Sequence, residues 1–178
     1  MATFLTIGHS NRSLDEFAAL LRDALVQQLV DVRAFPRSRT NPQFNKETLP
    51  EGLAPFHISY LHILALGGRR GRSNPVPAQV NGFWSNRSFH NYADYAFSED
   101  FQLGMDQLIA QGHQHRCAIM CSEAVWWRCH RRIIADYLIA RGETVVHIVS
   151  KGRMEQARLT AGAVIQPGGT VIYPAVGA

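Results

Sequence analysis

Within the stretch AIMCSEAVWWRCHRRIIADYLIARG, residues 118–142, the segment 121–132 sets two thiols, a carboxylate, an imidazole and three guanidiniums around a pair of tryptophans. Cys121 follows an apolar run and precedes a helical pattern. A thiol near a helix N-terminus with Arg128 and His130 in reach has the surroundings that lower its pKa to about 3.5–7.5 and make the thiolate a nucleophile. The alternative is a small buried residue that closes a strand. Glu123 could act as general acid or base, orient His130, or pair with Arg128. Trp126 and Trp127 read either as packing or as an aromatic face on which a base could stack.

Such groups work only if the fold brings them together, and the hydrophobic periodicity says how. Residues 3–8 read as a short buried strand. Ser13, with Glu16 three positions on, forms a capping box ahead of Leu14, Phe17, Leu20, Leu21 and Leu25 at helical spacing. Residues 29–32 and 58–63 give a second and third strand with a short helix over 46–53 between them. Ser98 caps a helix carrying Phe101, Leu103, Met105, Leu108 and Ile109 that ends near Gly112. Residues 116–120 and 144–149 are a fourth and fifth strand, flanking a helix with Ile133, Ile134, Tyr137 and Leu138 on its buried side and Gly142 past its end. Strand alternating with helix predicts a layered, Rossmann-like α/β domain: a mostly parallel sheet of about five strands flanked by helices. Residues 67–88 stand out as a long structureless segment, expected to be a functional lid. Residues 150–178 read as a strand pair or tail, and residues 1–178 as a single domain.

If the sheet is parallel, its strands' carboxyl ends open on one edge, where ligands of such folds bind. The first strand delivers His9, Ser10, Asn11 and Arg12 there. The second delivers Asp31, Arg33, Arg37, Arg39, Asn41 and Asn45, and the third Arg69, Arg70 and Arg72. The fourth delivers Cys121, Ser122, Glu123, Arg128, His130 and Arg131. Four segments thus bring arginines to one rim, and an anion pocket is the natural inference. Asp31 and Arg33 could instead be a salt-bridged pair at the strand's end, and Arg37 and Arg39 could be merely solvated. His9 could donate to a phosphate, shuttle a proton, or help to cap the following helix. His57, His62, His113, His115 and His147 carry no company that raises them above filler.

Composition narrows the class. The 178 residues, 46% hydrophobic and 18% charged, suffice for one core without staples. No apolar run nears the roughly 20 residues that span a bilayer. The N-terminus has no basic and then apolar leader, so the cytoplasm is the expected address. Three cysteines, an odd number, argue against a disulfide framework. The net charge of +4 is compatible with an anionic partner. Of 18 basic residues only Lys46 and Lys151 are lysine, and arginine suits bidentate contacts to phosphate or carboxylate, although high genomic GC content would enrich it too.

Cys121, Cys129 and His130 could supply three ligands to zinc. The seven residues between the cysteines and the adjacency of Cys129 and His130 match no common structural zinc pattern, so spacing assigns no metal site. No glycine-rich phosphate loop, dinucleotide fingerprint or hydrolase serine elbow is present, and the cofactor stays unknown.

Four blocks, TIGHSNRSLDEF, VDVRAFPRSRTNPQFN, YLHILALGGRR and IMCSEAVWWRCHRRIIADYL, occur in an order that resembles the bacterial domain-of-unknown-function family numbered 488. The resemblance implies an α/β domain whose signature blocks are these, and no established activity. The family's usual proline is replaced here at Val125 or Trp126. The order of strand, cysteine, basic loop and helix is also similar to rhodanese-like and cysteine phosphatase domains, in which the loop after the cysteine wraps an anion. Here six residues separate Cys121 from Arg128, one more than the phosphatase pattern, and that loop lacks glycine.

The leading expectation is an arginine-rich pocket for a phosphate-bearing ligand, nucleotide or nucleic acid, with turnover drawing on Cys121, Glu123, His9 and His130. One rival is a non-catalytic DNA- or RNA-binding module whose arginines neutralise the backbone. Another is a zinc or redox thiol protein. Oligomeric state is not legible.

Overall fold

Five strands run parallel: β1 (Thr3–Gly8), β2 (Gln28–Asp31), β3 (Ser59–His62), β4 (Cys117–Cys121) and β5 (Thr144–Ser150). A sixth, β6 (Arg153–Gln156), turns back at Gly152 and pairs antiparallel with β5. The sheet order in this computed structural model, which describes residues 1–72 and 75–176, is β3-β2-β4-β1-β5-β6. The chain interleaves these strands with α1 (Leu14–Asp23), α2 (Leu49–Leu53), α3 (Arg87–Tyr95), α4 (Glu99–Gln114) and α5 (Arg131–Ala140). This is the layered Rossmann-like α/β fold that the sequence pattern predicts. The sixth strand goes beyond it, because an exposed edge strand buries too little to show a hydrophobic signature. Beyond the sheet, β7 (Val164–Ile165) and β8 (Val171–Ile172) form a separate hairpin across Gly168 and Gly169, both at positive φ.

Strand side chains alternate between two cores with period two. Leu5, Ile7, Leu29, Ala118 and Met120 face one side, where they pack with Phe17 and Leu21 of α1. Phe4, Val30, Cys117 and Ile119 face the other, with Phe101, Met105 and Leu108 of α4 and Ile133, Ile134 and Tyr137 of α5. Caps set the helix starts: the Ser13 hydroxyl accepts from Glu16 N at 3.1 Å, and that of Ser98 from Phe101 N at 3.1 Å. α4 runs through Gly112 rather than ending there. That glycine is required by packing, since a Cβ would stand 2.1 Å from the Phe4 ring. Leu103 of α4 is exposed.

The sheet order places a topological switch between β1 and β4, which are neighbours. The chain leaves β1 through α1 on one face and leaves β4 through α5 on the other. The ladder continues past both strands, with His9 N donating to Cys121 O at 2.9 Å and Ser10 N to Ser122 O at 3.0 Å. The two following loops therefore part on either side of a crevice, the place where such folds bind ligands.

The stretch 67–88 is not structureless where it is described; Ser73 and Asn74 lie outside the described residues. It holds a 3-10 turn at Ala78–Asn81 and the start of α3 at Arg87. Trp84 anchors it, stacked 4.8 Å from the Phe89 ring with the Arg132 guanidinium 5.0 Å from its own ring.

Candidate functional site

A cavity of about 790 Å³ opens at this crevice. His9, Ser10 and Asn11 after β1, Arg33 and Arg37 after β2, Arg69 after β3, Cys121 at the end of β4, and Glu123, Arg128 and His130 after it all line it. The four segments that sequence reasoning assigned to the rim thus meet in one wall.

On the β2 side the buried Arg33 guanidinium is fully committed. It grips Asp31 through Nε to Oδ1 at 2.9 Å and Nη2 to Oδ2 at 2.8 Å, and donates to Phe44 O at 2.6 Å. The Tyr60 hydroxyl donates to the same carboxylate. Asp31 is therefore the counter-ion that holds Arg33 in place, the salt-bridge alternative, and does not itself line the cavity. The His9 ring stacks 4.4 Å from Phe44, its Nδ1 lies 2.7 Å from Ser10 O and its Nε2 3.3 Å from an Arg33 nitrogen. A carbonyl can only accept, so Nδ1 carries the proton and Nε2 receives the arginine. Burial, reinforced by Arg33, lowers the His9 pKa to about 4. The imidazole is neutral near pH 7, an acceptor rather than a proton donor to phosphate.

The floor is built at the β4 end and the start of α5. The ligand atoms of Cys121, Cys129 and His130 all lie within 4.8 Å of one another. Burial and a hydrogen bond with Cys129 push the Cys121 thiol well up. Burial opposes ionisation of Cys129 too, but the hydrogen bond from Cys121 together with His130 and Arg131 outweighs it and draws that thiol well down. The surroundings of Cys129 thus favour its ionisation, whereas those of Cys121 oppose it. Arg131, 1% exposed, lies beneath it: Nε is 3.3 Å from Cys129 Sγ, Nη2 donates to Glu123 O at 2.7 Å, and the backbone N–H at the first turn of α5 points at the same sulfur at 3.4 Å. His130 Nε2 donates to Val32 O at 2.8 Å, so Nδ1 faces Cys129 Sγ at 3.6 Å, a donor to the thiolate while the ring is protonated and a lone pair once that proton has left. Glu123 does not orient His130; the Val32 carbonyl does.

Several candidates serve the scaffold instead of the cavity. Arg12 donates to Gly8 O and, at 2.9 Å, to Val149 O, tying off the ends of β1 and β5. Asn45 Oδ1 accepts from Ser38 N at 2.7 Å. Arg70 lies over the Tyr95 ring and bonds Gly67 O and Leu64 O. Arg131 is under the floor, and Arg39 is exposed away from the wall. The cations left on the wall are Arg37, which pairs with the exposed Glu47, and Arg69 and Arg128, which make no ion pair among the described residues. Trp126 is stacked 4.5 Å from His147 and donates to Glu155, so it is packing; Trp127 is exposed.

Sequence reasoning missed the far wall. It is formed by Asn86, just before α3, and by Ser88, Phe89 and Tyr92 of α3, which the expected lid concealed. Its signal was present: Asn86 caps it, accepting from Phe89 N at 3.2 Å, and Phe89, Tyr92, Ala93 and Ala96 have helical spacing. Cys129 was weighed only as a metal ligand, because nothing in the sequence shows which thiol sits over Arg131.

Fold and site together define a Rossmann-like α/β domain with a polar cavity at its topological switch. The chain belongs to the family described as Domain of unknown function DUF488, whose model matches residues 13–138. No curated protein and no solved structure matches it. Among the described residues, no helix is long and apolar enough to cross a membrane.

Proposed function

We propose that the cavity binds a phosphate-bearing ligand, a nucleotide or the end of a nucleic acid. The observation that carries this reading is the convergence of Arg37, Arg69 and Arg128, from three separate loops, on one concave wall whose inner side already holds a neutral His9 and a neutralised Arg33. Arginine forks on a wall of this kind suit phosphate oxygens, and each charge-assisted bond is worth about 1.5–3 kcal/mol. Turnover, the enzymatic half of the reading, draws on the Cys121–Cys129–His130 floor and on Glu123 at the mouth.

Calorimetric titration with pyrophosphate and nucleoside diphosphates tests the binding. An Arg69→Ala/Arg128→Ala double variant is expected to lose at least about tenfold in affinity, the equivalent of one such bond; affinity unchanged in that variant retires the reading. A turnover screen over the same ligands is expected to fall in Cys129→Ser and in Glu123→Gln, and unchanged rates in both remove the enzymatic half. A concave site favours a small ligand over a backbone-tracking groove. Binding that collapses between low and physiological salt on generic single-stranded DNA, with no small ligand retained, would favour the nucleic-acid module instead.

A further inference from the structure

We propose that Cys121, Cys129 and His130 form a binding site for one thiophilic divalent metal ion, zinc by the softness of its donors, with the fourth coordination position open to the cavity. The inference deepens the phosphate-ligand reading, because that open position faces the bound ligand, but the ion's own binding does not depend on it.

Distances come first. A tetrahedral zinc held by sulfur at about 2.3 Å and nitrogen at about 2.0–2.1 Å requires those two donors to stand about 3.5 Å apart. Cys129 Sγ and His130 Nδ1 are 3.6 Å apart, and the Cys121 sulfur completes a triangle whose sides all fall within 4.8 Å. Little rearrangement separates this cluster from a coordination shell.

The histidine is set up as a ligand. Its Nε2–H is tied to the Val32 carbonyl at 2.8 Å, which fixes the ring and turns Nδ1, a lone pair once its proton has left, toward the sulfurs. A ligating histidine almost always donates its other N–H in this way. Room beside Nδ1 is kept by Gly68, where a Cβ would come within 3.1 Å of that nitrogen. The sulfur has outer partners as well, since Arg131 donates to Cys129 Sγ through Nε and through its backbone N–H.

Charge and shape point the same way. Two thiolates balance a divalent ion, so the filled floor would keep the single positive charge of Arg131 and favour an anionic ligand above it. All three donors line the cavity, so the missing ligand must come from there. Three protein ligands with an open position mark catalytic rather than structural zinc sites. Sequence spacing conceals the site because Cys129 and His130 are adjacent, and only the turn at Trp126–Arg128 swings them back over the end of β4.

The full chain, stripped with a chelator, is titrated with zinc against a chromophoric competitor and with cobalt by absorption spectroscopy. One ion per chain is expected, with thiolate-to-cobalt charge transfer and the intense visible bands of a tetrahedral site. Cys121→Ser, Cys129→Ser and His130→Ala are each expected to weaken zinc by at least about 100-fold, more than the 10–100-fold that outer partners contribute. Cys117→Ser should keep it, and circular dichroism checks that each variant is folded. If a variant does not fold, thiol alkylation of the wild-type chain decides: bound zinc should protect two of its three cysteines. No ion bound at micromolar zinc, a cobalt spectrum without charge transfer, or binding unaltered in the three variants would overturn the site. Zinc-loaded chain that ignores pyrophosphate would retire the pocket reading and leave the ion standing, whereas pyrophosphate binding by a chain that takes no ion would do the reverse.

Discussion

Two buried arginines flank the crevice, and they are held in parallel ways with different chemistry. Arg33 takes its counter-ion from Asp31 and Arg131 from Cys129, each two residues earlier in the chain. In both cases the arginine's own N–H also points at that partner, at 3.0 Å and 3.4 Å. At Arg33 the partner is a carboxylate, and the pair is locked further by Phe44 O and Tyr60. Arg131 pairs with no carboxylate among the described residues, only with sulfur, the Thr6 hydroxyl and the Glu123 carbonyl. A buried cation requires an anion, so the charge beside Arg131 is a thiolate that exists because of its surroundings. One side of the crevice is scaffold, and the other holds adjustable charge.

The most damaging substitution falls where the end of β1 packs against the loop after β4. A Cβ on Gly8 would lie 1.8 Å from the Glu123 carbonyl that receives Arg131, so Gly8→Ala is expected to cost about 5 kcal/mol in urea unfolding or to prevent folding. A loss near 1 kcal/mol would mean that the loop moves aside freely. Asp31→Ala leaves Arg33 buried without its anion and should cost about 3–5 kcal/mol. Cys129→Ser in metal-stripped chain should cost less, about 1–3 kcal/mol, because a hydroxyl still accepts from Arg131. It should also erase the lowest-pH step in the ultraviolet thiolate titration. If that step survives in Cys129→Ser and vanishes in Cys121→Ser, the assignment of the thiolate is wrong.

Acid sharpens the contrast between locked and adjustable charge. His9 and His147 are buried neutral, their pKa values lowered from 6.5 to about 4 by burial first and by Arg33 and Arg131 respectively. As pH falls through the window from about 6.5 to about 4, the unfolded chain takes up protons that the fold refuses. Stability is therefore complete above the window and drains through it. Melting temperature measured along a pH series should fall there, and His147→Gln should flatten the fall; a profile level across the window would remove both histidines from the account. The smallest effect belongs to Arg39, exposed and away from the wall, where substitution by alanine should change stability by no more than about 0.5 kcal/mol and leave pyrophosphate affinity untouched.

Much of the frame was legible because it is written in local pattern. Period-two and helical spacing locate β1 to β5, α1, α4 and α5, and a parallel sheet obliges the segments after four strands to share an edge. Twelve of the residues expected at that rim do line one cavity: His9, Ser10, Asn11, Arg33, Arg37, Asn41, Arg69, Cys121, Ser122, Glu123, Arg128 and His130. α3 was hidden by the glycine- and proline-rich stretch before it, and β6 by its exposure. Roles were less legible than places. Arg12, Asn45 and Arg70 resemble ligand-binding residues by type, and only their carbonyl and amide partners show them holding the scaffold.

The layered α/β fold, the edge on which the site lies and the arginine-rich character of its rim are legible in the chain alone, because periodicity and residue type are properties of neighbours along it. Only the assembled fold shows that Asp31 neutralises Arg33, that Arg131 lies beneath the paired sulfurs of Cys121 and Cys129, and that two thiols and an imidazole meet within 4.8 Å. Ionisation and coordination depend on which groups face each other across a few ångströms of low-dielectric interior, and side chains only two residues apart, like those brought together from separate segments, acquire that relation only when the sheet is assembled.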